Sequence, residues 1–447
     1  MKDSFTVALI GLGNRGKDAY LPEFLKFGGK VRVTAIAEPV DEKRNEVAKL
    51  LGLAPEQCFR TGEELLAGPR LAGAAVIATM DRQHVPQAVP ALQKGYDLLL
   101  EKPVSPSLEE CDLLARVARE TGRRVVVCHV LRYTAFYKKV KELLDGGAVG
   151  QVMTVQAIEN VGYWHQSHSF VRGNWRRTDE SSPMLLQKCC HDLDLYLWLA
   201  GKSAKRVSSF GSNSFFNAAH APKGAAARCL DGCAAKADCP FDAEKIYLTN
   251  AATGIDAGND GWPCEVLAAH PAHDSVLDAI RTGPYGRCVF ACDNDVVDHQ
   301  VVNVEMTDGS TFGFTMTGFT EHNTRFARFL GTAGELSADL LSGDITLTPF
   351  GKPAQVFHID AAEGHSGGDA GLVKAFVELM LGGEPGPGLT SLDVSLESHR
   401  IALAAEKSRL AGGAAVELQY KTKRRRAVGP AAFCAFSARF FTSRRTG

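Results

Sequence analysis

Gly11-Leu12-Gly13-Asn14-Arg15-Gly16 follows an apolar run, Phe5–Ile10, and opens a helical stretch that continues to about residue 26. A G-x-G-x-x-G turn between a buried strand and a helix constrains the fold more than any other feature of this chain. The first glycine permits the tight turn, the second lets a pyrophosphate approach the backbone, and the third lets helix and strand pack closely. Free N–H groups and the positive end of the helix dipole then face the phosphates. The setting predicts a dinucleotide-binding βαβ unit, with Gly11, Gly13, Asn14, Arg15 and Gly16 around the cofactor. Glu38 ends the next apolar run, Val31–Ala37, close to the ~20-residue spacing at which an acidic side chain meets a ribose 2′-hydroxyl. A carboxylate there repels a 2′-phosphate, so NAD(H) is expected over NADP(H), with Lys43 and Arg44 standing nearby as the counter-indication.

Further apolar runs at 74–78, 96–100 and 124–128 alternate with helical patterns at Asp41–Leu51, 84–94 and 107–120. Strands that are apolar along their whole length and spaced by helices predict a doubly wound parallel sheet, assigned to residues 1–131. Beyond it the pattern changes. Helix 136–144 stops at Asp145-Gly146-Gly147, strand 151–159 alternates, and strands recur at 301–306, 311–316 and 345–347. This predicts a second, α+β domain over residues 132–420, built on a mostly antiparallel sheet. Inside it, about 217–292, lies a cysteine-rich insertion with little periodicity, and a structureless loop of that length needs something to tie it down.

The 447 residues and the ordinary globular composition, 45% hydrophobic and 23% charged, agree with two domains. No apolar run approaches the ~18 residues of a membrane span, and the N-terminus lacks a signal-peptide hydrophobic region, so a cytoplasmic protein is expected. The net charge is −1, but residues 421–447 hold eight Lys or Arg and no Asp or Glu, which leaves the body at −9. An acidic body speaks against nucleic acid as a partner. The basic tail reads as a disordered terminus without an assigned role.

Glu101-Lys102-Pro103 follows the fourth strand, and Thr79-Met80-Asp81-Arg82-Gln83-His84 follows the third. With the glycine turn, and with Gly331-Thr332-Ala333-Gly334-Glu335 in the second domain, these motifs resemble the Gfo/Idh/MocA family of NAD(P)-dependent sugar and cyclitol oxidoreductases over roughly residues 5–420. The resemblance implies a Rossmann domain followed by a domain with a large open sheet that forms homodimers or homotetramers. It implies that Thr79, His84, Glu101 and Lys102 lie at the cofactor, with Lys102 near the nicotinamide and the reacting hydroxyl. There a cation stabilises developing alkoxide charge. The family's Asp-x-x-x-His motif falls on Gln187-Lys188-Cys189-Cys190-His191. His191 matches the catalytic histidine, a group suited to taking a hydroxyl proton near neutral pH. Gln187 replaces the aspartate, and a neutral amide can orient a hydroxyl without raising the basicity of His191.

Glu159, Tyr163, His165, His168, Arg172 and Trp175, at and after the end of one strand, combine aromatic faces with polar groups as a sugar site does. They are expected, with Arg132, Tyr133, Gln187 and Lys188, to line the substrate crevice. The twelve cysteines lack a secretory context, so a disulfide framework is not expected. Cys229, Cys233, Cys239 and Cys292, with Cys288 as the substitute fourth ligand, have spacing that fits a structural four-thiolate zinc site. An iron–sulfur cluster would use the same ligands, and free buried thiols are the other reading.

The leading functional reading is an NAD-dependent oxidoreductase acting on a secondary hydroxyl of a sugar, glycoside or cyclitol. A redox-neutral glycosidase that oxidises, eliminates, hydrates and reduces would use the same groups plus an extra acid/base. A non-catalytic NAD-sensing protein is the third reading, favoured only by Gln187.

Overall fold

The structure of the protein, a computed structural model, describes residues 2–360 and 367–418; the basic tail, 421–447, lies outside them. Strands β1 (Phe5–Ile10), β2 (Val31–Ala37), β3 (Cys58–Phe59), β4 (Ala74–Ile77), β5 (Asp97–Leu100) and β6 (Val125–Val127) form one parallel sheet in the order β3-β2-β1-β4-β5-β6. β1, β4, β5 and β6 are buried throughout, apart from one partly exposed residue, Thr6. Helices on both faces remove both sides of each strand from water, which is why these runs are continuously apolar. The strand order reverses between β1 and β4, and such a switch point leaves a crevice at the strands' carboxyl ends.

The second sheet contains β7 (Val152–Gly162), β8 (Ala204–Ser212), β9 (His299–Met306), β10 (Thr311–Thr320), β11 (Thr324–Gly331), β12 (Gly334–Asp339), β13 (Asp344–Pro349), β14 (Gln355–His358) and β15 (Val416–Glu417). Its order is β14-β13-β12-β11-β7-β10-β9-β8-β15, antiparallel except for the β7–β10 pair. The alternation of β10 buries Phe312, Phe314 and Met316 against the helix Met184–Ala200, whose Tyr196 ring lies 5.6 Å from Phe312 and 6.3 Å from Phe329. That helix is buried along nearly its whole length. Its polar side chains therefore need partners or a ligand.

Two features escaped the sequence reading. The late helix Gly368–Met380 returns to the first sheet, where Phe376 meets Phe5 and Phe24 edge-on at 6.3 Å. The insertion is not structureless either: it folds around its own small core of Ile246, Tyr247, Leu248, Val276, Ile280 and Tyr285. Its helix His273–Thr282 places Val276 and Ile280 one turn apart on the buried side. Among the described residues no helix is long and apolar enough to cross a membrane.

Candidate active site

The glycine turn has the shape a pyrophosphate needs. Gly11 has φ +90°, and a Cβ there would stand 2.5 Å from the Ala78 carbonyl oxygen; one on Gly16 would stand 2.0 Å from the Gly11 oxygen. A Cβ on Gly13 would meet nothing within 4 Å, so the middle of the turn stays open to a ligand. Glu38 ends β2 buried, accepting from Leu12 N at 2.8 Å and Val40 N at 3.1 Å. A carboxylate has about four acceptor sites and no donor, so Glu38 keeps capacity for ribose hydroxyls and none for a phosphate. These residues fit NAD(H). Arg15 is turned into the protein: it donates to Glu101 at 2.8 Å and to Asp369 at 2.5 Å, and its guanidinium lies over the Tyr20 ring.

Glu101 anchors the loop after β5. It accepts from Arg15, Tyr20 and the Lys102 amide. Burial opposes its ionisation, but the Arg15 and Lys102 cations and the Tyr20 and Arg15 hydrogen bonds outweigh burial and hold its carboxyl below the usual range. His84 braces the same loop, with its ring nitrogens 2.6 Å from the Pro103 oxygen and 3.0 Å from the Thr79 oxygen. Thr79 itself donates its hydroxyl to Gln87. So fixed, Lys102 crosses to the other domain, where its Nζ donates to the Gln187 carbonyl at 2.7 Å. Gln187 lies one helical turn before His191, so the two share a face of the helix Met184–Ala200.

Behind His191 stands a column of buried rings. His129, at the end of β6, meets His191 edge-on at 5.6 Å and His399 at 5.9 Å. His129 is fully buried, and neither ring nitrogen has a hydrogen-bond partner among the described residues. Burial, then the Arg132 and Lys102 cations, push its pKa well below the imidazole range. Beside the column lies a charge cluster. Glu159 meets Lys188 at 3.2 Å and Arg325 at 2.9 Å, and Arg325 also pairs with Asp192 at 2.6 Å. Burial and the Asp192 charge, against Arg325 and Lys188, lift the Glu159 carboxyl to about 7.

The other expected substrate residues divide. His165 stays at the crevice: it is half-buried, its Nδ1 lies 3.0 Å from Asn323 Oδ1, and burial, then the Lys188 charge, hold its pKa well below the usual range. Tyr163 accepts from Asn250 at 3.1 Å. Trp175 Nε1 lies 3.4 Å from Asp81 Oδ1, and Ser182 donates to the same carboxylate, which pins this segment to the first domain. Arg132 is engaged elsewhere, in a buried two-pronged pair with Asp194 at 2.6 Å. Tyr133 bonds Thr390, and His168 lies within hydrogen-bond reach of Tyr247 and stacks on Tyr285, its pKa driven by burial to about 3. Arg172 points into the insertion, donating to the Arg287 and Phe241 carbonyls at 2.7 Å.

The zinc expectation is corrected. Among the described residues no group of His, Cys, Asp or Glu could hold a metal ion. Cys229, Cys233, Cys239 and Cys288 do surround one small cavity, but Arg172 shares it, with Nη2 3.7 Å from Cys229 Sγ. Cys292 donates to the Cys288 carbonyl. Burial raises the Cys229, Cys239 and Cys292 thiols. The Arg172 guanidinium and the insertion's own apolar core hold this loop.

The site also contains residues that sequence reading passed over. Arg325, Asn323, Trp262 and Glu265 come from late strands or the insertion; Glu265 accepts from Asn14 in the glycine turn at 2.6 Å. No local motif marks such long-range partners.

Residues 5–129 match the oxidoreductase family with an NAD-binding Rossmann fold, GFO_IDH_MocA, and residues 137–241 match the GFO/IDH/MocA C-terminal domain. The chain belongs to the Gfo/Idh/MocA family. YteT of Bacillus subtilis, named as an oxidoreductase, is 22% identical to it over 408 residues, 85% of this chain and 89% of that protein. The 2,7-anhydro-N-acetylneuraminate hydratase of Mediterraneibacter gnavus is 25% identical over 206 residues, about half of either chain (46% and 52%). In fold, this Gfo/Idh/MocA protein is similar to the WlbA dehydrogenase of Bordetella pertussis, solved with NADH and UDP-GlcNAcA. That likeness has a TM-score of 0.65 at 17% identity and covers 94% of this chain and 99% of the other.

Proposed function

We propose that this protein transfers hydride between a secondary hydroxyl of a sugar, glycoside or cyclitol and nicotinamide, with Lys102 and His191 at the reacting hydroxyl. The observation that carries the reading is the Lys102–Gln187 hydrogen bond, which brings the end of β5 against the helix of His191 at the edge of the nucleotide crevice. Residues 1–131 would hold the cofactor and 132–420 the substrate. NAD, when bound, accepts the hydride. His191 takes the hydroxyl proton in the oxidising direction. The Lys102 ammonium faces the oxygen as negative charge develops and stabilises it in a site shielded from water. Gln187, in place of a carboxylate, supplies a hydrogen bond without charge, and Lys188 is held in place by Glu159.

A second reading is supported by Glu159, whose carboxyl pKa burial lifts to about 7; its partner Lys188 would give one of its own protons to the crevice and take the Glu159 proton in its place. An elimination–hydration cycle with no net change in NAD needs such a group, and a relative named as a hydratase makes the comparison apt. The substrate is a small carbohydrate in either case. The protein works as a homo-oligomer, and none of the eleven described cysteines forms a disulfide, which suits a reducing cytoplasm.

Purified protein with a panel of sugars, cyclitols and aryl glycosides, followed for NADH absorbance and aglycone release together, tests both readings. NADH in proportion to substrate supports the dehydrogenase; aglycone released without net NADH supports the redox-neutral cycle. In either case Lys102→Met is expected to lower kcat about 10²–10⁴-fold while NAD affinity stays within about threefold. A variant with unchanged kcat removes Lys102 from the chemistry.

A further inference from the structure

One short turn of the insertion reaches back over the crevice. Trp262 lies 4.8 Å from His165, edge-on, and 5.2 Å from Trp164 at a tilt of 56°. Three residues on, Glu265 holds Asn14 of the glycine turn at 2.6 Å, and His270 meets Glu42, beyond β2, at 3.3 Å. The turn is thus fastened to the first domain at Asn14 while its indole stands against His165. Both indoles are half-buried, so part of each ring stays open to solvent. Both indoles pack on His165, which is assigned to the substrate crevice: Trp164 stacks on its ring at 5.7 Å and Trp262 meets it edge-on, while Trp262 also meets His168 at 5.3 Å.

Hydride transfer from a ring hydroxyl needs nothing from the two indoles. An indole pair at this position offers flat apolar area, which is worth most to a partner with a flat or ring-shaped apolar face. The reacting sugar already faces the polar groups, so the indoles meet whatever that sugar carries. We propose that Trp262, with Trp164, forms a second subsite for the group attached to the reacting ring, an aryl group or another sugar ring. The site thereby selects glycosides over free sugars and cyclitols. This rests on the reading of Lys102 and His191 as the reacting centre.

The test is calorimetric titration of the full chain, loaded with NADH, with p-nitrophenyl and methyl glycosides of the same sugars. The p-nitrophenyl series is expected to bind about five- to tenfold more tightly, the worth of one aromatic contact. Trp262→Ala should bring the two series within about twofold by weakening only the aryl members, and Trp262→Phe should keep most of the preference. Glu265→Ala frees the turn from Asn14 and should lose part of it, whereas Glu265→Gln still accepts the Asn14 hydrogen bond and should keep it. Equal affinity of the two series in the unaltered protein, no binding of either, or an equal effect of Trp262→Ala on both overturns the inference. Failure to bind NADH, or to turn over free sugars and cyclitols as well as glycosides, counts instead against the oxidoreductase reading, since NADH binding and turnover of an unsubstituted ring do not use the Trp262 subsite.

Discussion

Glu159 shows how much one buried side chain can set. Its carboxyl lies among Lys188, Arg325 and the Asp192 carboxylate, and burial lifts its pKa from the usual glutamate range to about 7. A folded-state pKa above the unfolded value of ~4.3 means that the native state holds the proton more tightly. This contribution is complete below the unfolded value and is lost as pH rises through the folded one. The melting temperature of the natural protein should therefore fall relative to Glu159→Gln as pH rises from 5, most steeply between about 5 and 6.5, and the fall should level off above 7. A difference that does not vary with pH would show that Glu159 ionises normally. The sequence offered Glu159 only as a polar group near the end of a strand, because its two cationic partners lie 29 and 166 positions away. Arg132 misled for the same reason. An arginine at a strand end reads alike whether it meets a substrate or, as here, Asp194 on the neighbouring helix. His191 and Lys102 could be named from sequence because each stands in a fixed local setting, a helix turn and a strand end, and the structure joins those two elements through the Lys102–Gln187 hydrogen bond.

At the scale of elements, the βαβ half was readable because a strand buried on both faces and a glycine turn leave little choice of sequence. The insertion was not. Five of its six thiols suggested a metal, while the group beside them, Arg172, came from a segment expected to bind sugar. Its two carbonyl partners join residues 241 and 287, so the guanidinium ties both ends of the loop to the segment after β7. Arg172→Met should leave the buried Phe241 carbonyl unsatisfied, at a cost of about 1–3 kcal/mol, and the partly buried Arg287 carbonyl at a smaller one. The expected result is a lowered melting temperature and faster proteolytic cutting within residues 217–292, with NAD affinity unaffected. Extensive chelation of the unaltered protein should change neither property. If the chelator destabilises the protein and Arg172→Met does not, the guanidinium is not what orders the loop.

At the scale of the whole molecule, the open face of the nine-stranded sheet carries a row that no single strand reveals. Phe326 on β11 pairs with Ile158 on β7, Ile158 with Thr315 on β10, Thr315 with Val301 on β9, and Val301 with Phe210 on β8. Directly paired residues share a face, so these five side chains form a stripe across five strands. Phe326, Val301 and Phe210 are 36%, 39% and 53% exposed. Charged and polar neighbours such as Arg328, Gln156 and Asn303 flank the stripe, an arrangement suited to an interface with an apolar centre and a polar rim. Each strand alone reads as an ordinary alternation, with one apolar residue turned outward; the register joins them. A face of this kind suits burial against a second copy, and an interface of more than ~1,000 Å² would be needed to hold a stable dimer. Light scattering coupled to gel filtration should give a dimer or tetramer. Val301→Asp with Phe326→Asp should shift it to monomer with the fold intact by circular dichroism, since both side chains already face solvent in the single chain. A monomeric natural protein, or a doubly substituted one that still assembles, would place the interface on another surface.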